Sequence, residues 1–161
     1  MKHTLFILLG ELLLLATAGR AQSQVDERIA VNSQVDDKTF AVIIANEQYK
    51  HEQPVPYALN DGATFSLYCQ KTLGIPERNI KYVPNATLGE MNFALYWLGN
   101  VLRAFDGTGR AIVYYSGHGM PDEKGSEAYL LPTDGFSQST EGALSTRVLY
   151  QKLGEMPTQQ V

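Results

Sequence analysis

The sequence predicts an α/β protein, a three-layer αβα sandwich on a mainly parallel sheet, from two observations. Three strand-like runs recur at 38–46, 79–85 and 110–115, the first and third apolar almost throughout. Stretches with helical apolar spacing lie between them. Strands buried on both faces and alternating with helices call for a parallel sheet with helices on either side.

The elements follow in chain order. "MKHTLFILLGELLLLATAGRA" (1–21) has Lys2 near the start, an apolar stretch interrupted by Glu11, and small residues at Ala18, Gly19 and Ala21. That is the layout of a secretory signal peptide cleaved after Ala21, implying a secreted or periplasmic protein. The competing reading, a membrane anchor, needs ~20 apolar residues, and the run is shorter. Residues 22–37 show no periodicity and read as a linker or loosely attached arm, leaving 38–161 as the domain.

"KTFAVIIAN" (38–46) has the β-branched richness of a fully buried strand. After the proline-marked loop "EQYKHEQPVP", Leu59, Ala63, Leu67 and Leu73 sit at helical spacing, and Gly74 and Pro76 close the helix. "NIKYVPN" (79–85) is the second strand. Thr87 and Glu90 have capping-box spacing and open a second helix that runs to Phe105. "DGTG" is a turn, and "RAIVYY" (110–115) the third strand. "EAYLLPTDG" (127–135) reads as part of a hairpin. "LSTRVLYQKLGEMP" (144–157) reads as a third helix, with a further strand beginning near Gln160.

Composition narrows the function. The 161 residues carry a net charge of −4, with 44% hydrophobic and 19% charged residues. No dense Lys/Arg patch offers a surface to nucleic acid. A single cysteine, Cys69, allows no internal disulfide, so stability rests on a packed core. The three histidines, at 3, 51 and 118, are too scattered for a zinc site, and we expect neither metal nor cofactor.

In open α/β sheets, functional residues gather at the carboxyl ends of the strands. "SGHG" (116–119), "NEQY" (46–49) and "PNAT" (84–87) all lie there. Histidine moves protons near neutral pH, and flanking glycines allow close approach and free the Gly119 N–H as a donor. Cys69 falls mid-helix, where a thiol packs as a small hydrophobe. No Gly-x-Ser-x-Gly elbow occurs, and Ser116 is too near His118 on one strand end for their side chains to meet.

The segments from "FAVIIANEQYK" through "ALNDG", "IKYVPNAT" and "RAIVYYSGHG" to "YLLPTDG" resemble the large-subunit domain of the caspase family. The likeness is nearest to bacterial caspase-like proteins and metacaspases, over 38–161. The resemblance implies a Cys–His endopeptidase acting on proteins or peptides. His118 is then the general base and acid, and the Gly119 N–H an oxyanion donor. It gives Asp61 two readings: lining the pocket for the residue before the cut, or a carboxylate stabilised by the helix dipole. The arginine of aspartate-cutting caspases is missing from "VPYA" (55–58), so a pocket lined by Asp61 implies a basic residue there.

In that family the nucleophile follows the histidine by about 50 residues, here near residue 168. The resemblance therefore implies a sheet incomplete at its C-terminus and an inactive 161-residue chain. Its third strand would be an open apolar edge available for pairing. Two readings compete with a severed peptidase: a non-catalytic caspase-like interaction domain, and an unrelated α/β domain in which His118 is incidental.

Overall fold

The computed structural model of the chain describes residues 29–121, 125–159 and 161. The proposed signal segment and Gln160, where a further strand is expected, lie outside the described residues.

The main sheet has three parallel strands in the order β2-β1-β3. They are β1 (Thr39–Ala45), β2 (Ile80–Pro84) and β3 (Arg110–Ser116). Every residue of the central β1 is buried, as its uninterrupted apolar run requires. The period of two splits its side chains between two cores. Ala41 and Ile43 meet Cys69 and Ile75 on the side of α1 (Ala58–Lys71). Phe40, Val42 and Ile44 meet the opposite layer. That layer is built from α2 (Leu88–Arg103) and α3 (Thr146–Gly154). The sandwich thus has three layers, as the sequence predicts.

Helix boundaries follow local chemistry. Thr87 and Glu90 form the capping box at α2, and the Asp134 carboxylate also accepts the Leu88 N–H at 3.0 Å. Ser145 caps α3 by accepting the Val148 N–H at 3.1 Å. The cap residue of α1 is Tyr57, in the left-handed region at φ 72°, with no side-chain cap of its own. Glu47 substitutes from β1's trailing loop, its carboxylate accepting the Leu59 N–H at 3.2 Å. In α1, Gly62 presses on the sheet: a Cβ there would lie 2.5 Å from the Ala45 Cβ.

A small antiparallel sheet follows β3, in the order β4 (Gly119–Pro121), β5 (Ala128–Leu130), β6 (Leu144–Ser145). The expected hairpin is therefore present, with β5 paired on both sides. Residues 29–37 lack regular structure yet are tied to the domain. Asn32 and Asp36 donate their N–H groups to Lys71 and Gly74 at 2.7 and 2.9 Å. The Thr72 hydroxyl reaches the Ala30 carbonyl at 2.6 Å.

Candidate functional site

The carboxyl ends of β1 and β3 are joined by buried polar groups. Asn46, fully buried after β1, accepts the Ala86 N–H at 2.7 Å and donates to the Leu131 carbonyl at 3.1 Å. It thereby links three distant segments. Thr133, also buried, donates its hydroxyl to the Asn85 carbonyl at 3.0 Å. The Tyr115 hydroxyl lies 2.8 Å from both the His118 and the Leu131 carbonyls. Burial pushes that phenol's pKa far up, so the group stays a neutral donor.

On this base β3 delivers His118, which is half-buried. Gly117 makes the turn at φ 156°, and a Cβ there would lie 2.6 Å from the Tyr49 hydroxyl oxygen. The close approach has a purpose: the His118 N–H donates to that oxygen at 2.8 Å. The two rings lie 4.8 Å apart between centroids, tilted by 52°. On the imidazole itself, Nε2 lies 2.8 Å from the Gln53 carbonyl oxygen. A carbonyl only accepts, so Nε2 carries the proton and the neutral ring keeps Nδ1 as its acceptor.

Gly119 opens β4 opposite Leu130. The Leu131 N–H donates to the His118 carbonyl at 2.9 Å, which makes Gly119 and Leu130 a non-hydrogen-bonded pair. The Gly119 N–H therefore points away from β5, to the side where β4 has no strand neighbour among the described residues. A Cβ at Gly119 would make only an ordinary 3.6 Å contact, so the fold itself tolerates a side chain there.

Asp61 is exposed in the first turn of α1. It lines an open groove of about 430 Å³ with Asn60, Thr64, Phe65 and Tyr114. Both sequence readings fit this position, since the carboxylate sits at the helix start and also faces a groove. Neither ion pair among the described residues involves Asp61. His118 does not line this groove.

Cys69 is fully buried beneath α1, and burial pushes its thiol up to about 11. A thiol so placed is neither ionised nor accessible near neutral pH.

The sequence reading missed Tyr49, Gln53, Tyr115 and Asn46 as individual groups. "NEQY" stood out by position at a strand end, which was the available signal for Asn46 and Tyr49. Gln53 acts through its main-chain carbonyl, so its side chain carried no signal.

The family model for the caspase domain matches residues 38–158. A search of curated protein sequences gives no match.

Proposed function

Because the chain belongs to the caspase domain family, we propose that residues 38–161 supply the histidine half of a cysteine endopeptidase site. The observation that carries this reading is the bond from His118 Nε2 to the Gln53 carbonyl. It leaves Nδ1 as the nitrogen that takes a proton. In the proposed reaction, Nδ1 accepts the thiol proton and the thiolate attacks the scissile carbonyl carbon. The Gly119 N–H stabilises the oxyanion, and His118 returns the proton to the leaving amine. Water then hydrolyses the thioester, with His118 again as base.

The nucleophile in this proposal lies outside these 161 residues, because their single thiol is the buried Cys69. The substrates are proteins or peptides, and Asp61 selects Arg or Lys before the cut. The groove beside Asp61 supports that specificity by offering an unpaired carboxylate flanked by aromatic walls. The reading includes export through the 1–21 segment, on the layout of its charged, apolar and small residues.

A second reading, a non-catalytic interaction domain, is favoured by one observation. The strand β3 pairs with β1 alone among the described residues, leaving an edge able to accept a strand. Hydrolysis of fluorogenic peptides ending in Arg, Lys or Asp separates the readings. For the peptidase, the intact protein cleaves after Arg or Lys, Asp61→Asn loses that preference, and His118→Ala loses turnover by at least about a hundredfold. For the interaction domain, no peptide is cut and His118→Ala changes nothing.

A further inference from the structure

The loop between β1 and α1 does more than connect them. Its residues Lys50, His51 and Glu52 are docked, one after another, on the segment that follows β5. Lys50 donates its N–H to the Thr133 carbonyl at 2.9 Å. The His51 ring stacks on Phe136 at 3.9 Å between centroids, 13° from parallel. The Glu52 carboxylate accepts the Ser137 N–H at 2.8 Å. Next in the chain stands Gln53, whose carbonyl holds His118 Nε2. Four residues earlier, Tyr49 holds the His118 main-chain N–H. One loop therefore grips the histidine by its ring and by its backbone, and that loop is anchored in turn to residues 133–137.

We propose that Glu52 and Tyr49 are positioning residues that fix which ring nitrogen of His118 is left free to take a proton. Glu52 acts at one remove, by setting where the Gln53 carbonyl lies. Tyr49 acts directly on the His118 backbone and fills the space that Gly117 leaves. Neither touches a substrate in this account. Without the Ser137 anchor the Gln53 carbonyl is free to swing away, and the neutral imidazole redistributes between its two tautomers. Ordering the loop beforehand matters because a base that must first be oriented contributes less to the rate.

The inference deepens the reading of His118 as the proton acceptor, and its test does not need turnover. The intact protein, labelled with ¹⁵N, reports the ring through its nitrogen shifts and through the Nε2–H proton signal. The wild type is expected to show a protected Nε2–H and a single tautomer. Glu52→Ala is expected to lose at least half of that proton signal and to show both tautomers. Glu52→Gln keeps an oxygen that accepts the Ser137 N–H, and is expected to restore the wild-type pattern. Phe136→Ala loosens the same loop at the adjacent anchor, the His51 stack, and should reproduce the Glu52→Ala spectrum. Tyr49→Phe is expected to speed exchange of the His118 main-chain amide by at least tenfold.

The proposal is overturned if Glu52→Ala and Phe136→Ala both retain the wild-type ring signals while folded. It is equally overturned if Glu52→Gln behaves as Glu52→Ala. Thermal melting separates loss of the fold from release of the loop. In a peptidase assay, Glu52→Ala should lower kcat at least tenfold with KM unchanged, and Glu52→Gln should recover it. A protein that cuts nothing yet shows the expected ring signals contradicts the peptidase reading and leaves the positioning inference standing.

Discussion

The two ends of the main sheet are closed by different chemistry. At the amino ends, Asn79 donates its amide to the Asp37 and Thr39 carbonyls at 3.0 and 3.2 Å, 42 and 40 residues away but both in one segment. Beside it, Arg110 pairs with Asp36 at 2.7 Å, its side chain 46% exposed to solvent. At the carboxyl ends, the fully buried Asn46 ties the end of β1 to Ala86 and Leu131, 40 and 85 residues away in sequence. The same type of side chain thus joins two segments at one end and three at the other. A buried junction holds its geometry against water, whereas an exposed ion pair is screened and worth little. The catalytic histidine proposed above stands at the end with the buried junction.

The largest test of this contrast is Asn46→Ala. It leaves the buried Ala86 N–H without its partner and opens a cavity, for a loss of about 3 kcal/mol in denaturant unfolding. The Leu131 carbonyl still accepts from Tyr115, which limits the damage. The variant should also disturb the His118 ring signals, because Leu131 is bonded to the histidine's carbonyl. Asn79→Ala is expected to cost less, about 1 kcal/mol, and to leave the His118 signals unchanged. Equal losses, or a spectral change at His118 from Asn79→Ala, would break the comparison.

The ion pair should matter least. Burial opposes ionisation of Asp36, but hydrogen bonds from Thr39 and Arg110, with the Arg110 charge, outweigh it and hold the carboxyl below its ordinary value of 3.8. A carboxyl lowered on folding stabilises the protein above its unfolded pKa and loses that contribution as pH falls through the folded value. Asp36→Asn should therefore cost no more than about 1 kcal/mol at neutral pH, less at high salt, and nothing in strong acid. Stability measured against pH for the two proteins should converge below about pH 4.

Gly119 sharpens the contrast from the side of function. Its N–H points off the edge of β4, and the fold has room for a Cβ. Gly119→Pro removes that donor and is expected to lower kcat by about a hundredfold or more, with the fold retained on an edge strand. A smaller loss would remove Gly119 from the oxyanion role.

The sequence made the fold legible where one physical signal dominated. Continuous apolar runs marked β1 and β3, and the Thr87–Glu90 spacing marked the start of α2 at the residue. His118 was legible as a candidate because it stands between two glycines at the carboxyl end of a strand. The short strands were not. A three-residue β4 containing Pro121 and a two-residue β6 carry no periodicity, and tertiary pairing with β5 creates them. The docking of residues 29–37 was equally hidden, since its main-chain bonds to Lys71 and Gly74 and its side-chain bonds from Thr72, Asn79 and Arg110 come from far along the chain. Asn46 and Gln53 teach the same lesson at the site: long-range junctions and carbonyl acceptors leave no local pattern.

The most direct test of the central claim sets two variants of the intact protein side by side, Cys69→Ala and His118→Ala. Each is assayed on a fluorogenic peptide ending in Arg. The account predicts that Cys69→Ala hydrolyses it at the wild-type rate, because the Cys69 thiol is buried and its pKa is raised to about 11. It predicts that His118→Ala falls at least about a hundredfold. Loss of turnover in Cys69→Ala with its fold intact, or retention in His118→Ala, would contradict it.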